Sequence, residues 1–305
     1  MSTAVLRPAD WPVAIIGAGR MGLAIGQIFA AAGHAVTLIE PGETARAAIG
    51  DALRALTERR GQSVELVANV EAVASIADGV RDARLVIEAA PEKLELKQEI
   101  FAALDTYCRG DAILATNTSV IPVTEIGKPV RDGTRVVGTH FWNPPYSVKL
   151  VEVVQTERTA IATVETTMKL LAQAGQLPVH VRKDVVGFIG NRMQHALKRE
   201  AIALVQNGVC DAETVDFVIR NSFGARLGIM GTLEQSDLVG LNLTLDIHRV
   251  ILSDLDCSRE PQRLLVEKVA AGKTGAAVGE GFRTYTPEQR EELVTRLDRA
   301  LLSRP

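Results

Sequence analysis

Short apolar runs alternate with helical stretches through the first half of the chain. Val13-Ala14-Ile15-Ile16, bounded by Pro12 and Gly17, reads as a buried parallel strand. Met21 to Ala32 is helical in character, and Gly33 closes it as a C-cap. Ala35 to Ile39 predicts the next strand and Thr44 to Arg59 a helix, followed by a polar break at Gly61-Gln62-Ser63. A strand over Ala83 to Ile87, a helix over Leu94 to Tyr107 and strands over Ala112 to Thr116, Arg135 to Thr139 and Lys149 to Val154 continue the series. Strands alternating with helices predict a doubly wound α/β sheet. The period changes after Val179-His180-Val181. Phe188–Asn207, Ala212–Asn221, Leu233–Leu252 and Pro287–Leu302 all read as helices, and strand signals nearly vanish. The expectation is a sheet domain over residues 1–183 and an all-helical domain over 184–305.

Composition adds mainly exclusions. The chain has 305 residues, 47% apolar and 23% charged, with a net charge of −3 and both signs interspersed, so neither nucleic acid nor an anionic membrane is expected as a partner. Cys108, Cys210 and Cys257 lie far apart without metal-ligand spacing, which suits reduced structural thiols in a cytoplasmic protein with no metal site. The start, "MSTAVLRPADWP", has no long apolar core and reads as no signal peptide, and no stretch is apolar for the ~20 residues a span needs.

"GAGRMG" places Gly17, Gly19 and Gly22 in G-x-G-x-x-G spacing between a predicted strand and a predicted helix. Gly17 allows the tight turn, Gly19 removes a side chain that would block a pyrophosphate, and Gly22 lets helix and strand approach. Arg20 and Met21 belong to the same cofactor-binding stretch. Free N–H groups and the helix dipole favour an anion there. Glu40 closes the second strand about twenty residues on, where a carboxylate accepts from ribose hydroxyls and repels a 2′-phosphate. This favours NAD over NADP, with FAD as runner-up, and makes the first domain Rossmann-type. Three glycines in a turn, or a solvated strand-end charge, would be the plain alternatives.

"HFWNPP", residues 140 to 145, puts a histidine just after a strand, where its ring can point into the ligand crevice at the carboxyl ends of the sheet. Imidazole titrates near neutral pH and can take a hydroxyl proton while hydride leaves the carbon. Glu152 interrupts the apolar run of the next strand and reads as the partner of His140, fixing its tautomer and stabilising the imidazolium. The alternative is a satisfied core histidine and an edge-strand charge.

"VAIIGAGRMG", "VIEAAPEKLELKQEIF", "ATNTSVIPVTEI", "GTHFWNPPYSVKLVEVV" and "VRKDVVGFIGNRM" resemble, in order, signature blocks of the L-3-hydroxyacyl-CoA dehydrogenases. "GVCDAETVD", "GIMGTLEQSDLVGL" and "GEGFRTY" are similar to segments of that family's second domain. The resemblance implies an NAD-dependent oxidoreductase interconverting a 3-hydroxyacyl substrate and its 3-keto form, by family default a CoA thioester of fatty acid metabolism. It implies His140 as general base, Glu152 as its paired acid and Ser119 as a hydrogen-bonding partner of the substrate oxygen and the histidine. It implies Asn191 as a substrate-positioning group, with Glu92, Lys97 and Asn117 near the nicotinamide half of the cofactor. A homodimer through the helical domain follows from the same resemblance.

The pattern departs from the CoA enzymes in three places. The stretch from Pro41 to Ala68 is short for a CoA-binding arm, with Arg54, Arg59 and Arg60 as candidate phosphate contacts or a solvated helix face. The double proline after Asn143 and the threonine in "GTL", where a proline is usual, also depart, and "NPP" is similar to superfamily members that oxidise gulonate, carnitine or pyridoxine-degradation intermediates without CoA. Trp142, Tyr146 and Phe223 are candidates to shape a pocket or simply to pack. A non-catalytic, crystallin-like NAD-binding protein is the reading from another class. The presence of Ser119, His140, Glu152 and Asn191 together argues against it.

Overall fold

The computed structural model describes residues 6–68 and 70–302. Eight strands form one sheet: β1 (Val13–Ile16), β2 (Val36–Ile39), β3 (Val70–Val73), β4 (Leu85–Glu88), β5 (Ile113–Thr116), β6 (Val136–Phe141), β7 (Leu150–Val154) and β8 (Leu177–Val181). Their order is β3-β2-β1-β4-β5-β6-β7-β8. The first six are parallel, β7 runs antiparallel to β6, and β8 is parallel to β7. Strand order reverses between β1 and β4, so the ligand crevice of such a sheet lies at their carboxyl ends.

The helices α1 (Arg20–Ala31), α2 (Glu43–Ala47), α3 (Ile49–Arg59), α4 (Ile76–Gly79), α5 (Leu94–Tyr107), α6 (Val123–Ile126) and α7 (Ile161–Gln173) connect the strands. Both faces of the sheet are covered, which is why its strands read as continuous apolar runs. Val13 and Ile15 of β1 join Ile25 and Phe29 of α1 and Leu170 and Leu171 of α7 in one core. Ala14 and Ile16, pointing the other way, join Ile100, Phe101 and Leu104 of α5 and Ile126 of α6 in a second.

The second compact unit spans residues 193–305. It holds most of α8 (Gly190–Gln206), then α9 (Ala212–Asn221), α10 (Phe223–Leu227), α11 (Thr232–Val239), α12 (Leu241–Ile251), α13 (Arg263–Ala270) and α14 (Pro287–Leu302). Asp211 caps α9 through its carboxylate, 2.7 Å from the Thr214 N–H. Few apolar side chains are buried among the described residues of this unit, chiefly Ala203 and Val215. Ile229 is 88% exposed, Leu233 81% and Val250 76%, so its apolar faces point outward.

The compact units divide after Arg192. The reason is local: Ile189, Gly190 and Asn191 hydrogen-bond to residues of the first unit. The helix predicted over Thr44–Arg59 breaks at Ala48, and that over Leu233–Leu252 at Gly240, whose φ of 97° no ordinary side chain adopts easily. His140 lies inside β6 rather than after it, because the antiparallel β7 extends the ladder and pairs His140 with Glu152.

Candidate active site

The glycine-rich turn links β1 to α1. Gly17 has a φ of 92°, the left-handed conformation that glycine adopts freely. A Cβ on Gly22 would stand 1.8 Å from the Gly17 carbonyl oxygen, so helix and turn meet only because Gly22 lacks one. A Cβ on Gly19 would meet nothing within 4 Å, which leaves open space over the N-terminus of α1 for a phosphate group. Glu40 follows β2 and accepts from the Ala18 N–H at 3.2 Å and the Gly42 N–H at 3.0 Å. Its carboxylate thus stands against the glycine turn. Arg20 is exposed, while Met21 packs partly on the core. Turn, open cradle and strand-end carboxylate together fit a dinucleotide carrying a free ribose.

A second cluster lies at the carboxyl ends of β4 and β5. Lys97, on α5, is fully buried; it donates to both Glu88 oxygens at 2.7 and 2.9 Å and pairs with Glu92 at 3.2 Å. Glu88 also accepts from the Ala90 N–H at 2.7 Å and the Thr116 hydroxyl at 2.6 Å. One oxygen of Glu92 accepts from the Thr118 hydroxyl at 2.6 Å, the Ser119 N–H at 2.9 Å and the Val120 N–H at 3.2 Å. Burial pushes the Glu92 carboxyl up, but the Thr118 hydroxyl, the Lys97 charge and the two N–H groups outweigh it and hold the group below its ordinary value. Asn117 accepts from the Phe141 N–H at 2.9 Å, tying β5 to the end of β6.

His140 and Glu152 face each other across β6 and β7, both buried, with Nδ1 2.7 Å from one carboxylate oxygen. The other oxygen accepts from the Ile189 N–H at 2.9 Å and the Gly190 N–H at 3.0 Å. Burial raises the Glu152 carboxyl, while the His140 bond and these two N–H groups lower it by more, leaving it depressed. An anionic Glu152 makes Nδ1 the protonated nitrogen of a neutral ring and leaves Nε2 as acceptor. The rings of Trp142 and Phe188 stand 5.2 and 5.6 Å from the imidazole and tilt against it. Phe188 is buried with a φ of 50°, an uncommon backbone state for a bulky residue. Asn191 donates to the Ser119 carbonyl at 3.0 Å. Among the described residues no hydrogen bond joins the Ser119 hydroxyl to His140; Ser119 is held through its backbone.

Two family models match the chain in tandem: "3-hydroxyacyl-CoA dehydrogenase, NAD binding domain" over residues 12–185 and "3-hydroxyacyl-CoA dehydrogenase, C-terminal domain" over residues 187–285. The chain belongs to the 3-hydroxyacyl-CoA dehydrogenase family. It is 33% identical to 5-formyl-3-hydroxy-2-methylpyridine 4-carboxylate 5-dehydrogenase of Mesorhizobium japonicum, over 95% of this chain and 96% of that one. It is 32% identical to 3-hydroxybutyryl-CoA dehydrogenase of Clostridioides difficile, over 90% of this chain and 99% of that one. A crystal structure of a 5-formyl-3-hydroxy-2-methylpyridine 4-carboxylic acid 5-dehydrogenase, described as an NAD+-dependent dismutase, superposes with a TM-score of 0.87 at 32% identity, covering 96% of each chain. NAD is the family's cofactor, and the chain is an oxidoreductase of this kind.

Within the family's frame, the first unit brings together His140, Glu152, the backbone of Ser119, Asn191 and the Glu92–Lys97 pair. Glu88, Thr116 and Thr118 escaped the sequence reading. Glu88 could have been found by a signal like the one that exposed Glu152, a carboxylate in an otherwise apolar run. Of the candidate phosphate contacts, Arg54 makes an exposed pair with Asp51, and Arg60 bonds Gln27 with its guanidinium 5.8 Å from the Tyr146 ring centre. Phe223 opens α10 in the second unit and is 37% exposed. No helix among the described residues is long and apolar enough to cross a membrane, and no group of three or more His, Cys, Asp or Glu could hold a metal.

Proposed function

We propose that the protein oxidises a CH–OH group to a carbonyl, or the reverse, with His140 as acid–base catalyst and Glu152 as the group that orients it. The 2.7 Å contact between His140 Nδ1 and the buried Glu152 carboxylate carries this reading. With Nδ1–H committed to Glu152, Nε2 accepts the hydroxyl proton. The carboxylate then faces an imidazolium, and the buried pair stabilises the charge that forms. Bound NAD would supply the hydride acceptor for the same carbon. Gly17, Gly19, Arg20, Met21 and Gly22 would hold its pyrophosphate, and Glu40 its adenosine ribose. Glu92, Lys97 and Asn117 shape the nicotinamide end, while Ser119 and Asn191 form the substrate side.

The substrate is a small free hydroxy acid or alcohol rather than a CoA thioester. The pyridine-carboxylate dehydrogenase matches nearly the whole chain, and Arg60 is held between Gln27 and the Tyr146 ring. The family models support the second reading, a 3-hydroxyacyl-CoA substrate. Paired assays decide it: NADH formation with 3-hydroxybutyryl-CoA, free 3-hydroxybutyrate, carnitine and hydroxylated pyridine carboxylates. Turnover confined to the thioester would overturn the preferred reading. His140→Ala is expected to lower turnover by about 10²–10⁴-fold while NADH still binds; unchanged turnover would remove His140 from the chemistry. We also propose that two copies associate through the second unit, whose outward apolar faces include Ile229, Leu233 and Val250.

A further inference from the structure

Glu88 is the last residue of β4, in register with Ile16 at the end of β1 and Thr116 at the end of β5. It therefore sits where the strand order reverses, under the crevice. Its side chain and that of Lys97 are withdrawn from water, at 0% and 1% exposure. A buried ion pair is a poor device for stability alone, because apolar residues of similar volume often serve as well or better. Its location calls for another account.

The hydrogen bonds supply one. Lys97 donates to Glu88 and, at 3.3 Å, to the Ala90 carbonyl, while it pairs with Glu92, so its three protons are spoken for within the protein. Glu92 in turn gathers the Thr118 hydroxyl and the N–H groups of Ser119 and Val120 on one oxygen. The Ser119 carbonyl then receives Asn191. Every link from β4 to the Ser119 turn is a direct contact.

We propose that Glu88 is a positioning residue: it anchors Lys97, Lys97 holds Glu92, and Glu92 sets the turn over residues 118–120 that presents Ser119. Its catalytic relevance rests on reading Ser119 and His140 as the substrate side of the site. On this account Lys97 acts mainly by fixing Glu92. Glu88→Gln keeps the size but has one carbonyl oxygen, so either the Thr116 hydroxyl or the Ala90 N–H loses its acceptor, and an amide donor or a weaker acceptor faces the Lys97 ammonium, loosening the chain at its first link.

The test is amide hydrogen exchange of the full-length protein, read without substrate. In Glu88→Gln, exchange at Ser119 and Val120 is expected to quicken by about tenfold or more, with β4 and α5 as protected as before. kcat is expected to fall by about 10²-fold, with KM for the hydroxy substrate and NADH affinity within a few-fold of wild type. Exchange quickening across β4, α5 and the turn together would mean that Glu88 only supports the fold. Unchanged protection at the turn would also overturn the proposal. Should Glu88→Gln not fold, the Glu88→Leu/Lys97→Met pair removes the buried ion pair as a unit, which also takes the Lys97 charge from Glu92 and the acceptor from the Ala90 N–H and the Thr116 hydroxyl. It is expected to show the same local loss of protection at residues 119 and 120; a turn still protected there would sink the idea. Because exchange is read without turnover, the outcome stands whether or not the proposed substrate class is right.

Discussion

Glu152 divides its two oxygens between unlike tasks. One meets the His140 ring and the other holds the N–H groups of Ile189 and Gly190 at the start of α8. Its carboxyl is depressed relative to the unfolded chain, so it adds stability that is fully present above the ordinary glutamate value of 4.5 and is lost as pH falls through the lower folded value. Glutamine copies the protonated form and does not titrate. The melting-temperature gap between wild type and Glu152→Gln should therefore be full near neutral pH and close on acidification; a gap of constant width would contradict the assignment. Glu152→Ala goes further by orphaning two backbone donors, each costing about 1–3 kcal/mol where buried.

Among elements, the turn between β1 and α1 was the most legible in the sequence, because its glycines are required by backbone geometry that any dinucleotide cradle shares. Gly22→Ala puts a Cβ 1.8 Å from the Gly17 carbonyl oxygen, a clash with backbone that no rotamer relieves. The variant is expected to lose about 1–3 kcal/mol and most of its NADH affinity; calorimetry and a fluorescence titration would show both, and wild-type affinity would mean that the turn does not bind the cofactor. The pairing of His140 with Glu152 was readable because a carboxylate inside Leu150–Val154 stands out. The strand β3 was not readable: Val70-Glu71-Ala72-Val73 is short, half-exposed and at the sheet edge, where apolar alternation is weak. The breaks at Ala48 and Gly240 were also missed, since helical periodicity continues on both sides of them. The Glu88–Lys97–Glu92 chain was hidden for another reason: its members lie on β4, the following turn and α5, and only the fold shows which of their charges are paired and buried.

For the molecule as a whole, the sheet unit carries two dense cores while the helical unit buries few apolar side chains of its own. If a second copy covers those faces, light scattering should give twice the chain mass, and the melting temperature should fall on dilution. A monomer with a concentration-independent melt would contradict the association. The dual duty of Glu152 reaches this scale too. Variants at His140 should accumulate in cells like the parent and simply fail to turn over, whereas variants at Glu152 should be scarce as well as inactive. A survey scoring abundance apart from activity would separate the two residues, though 2.7 Å is all that lies between their side chains.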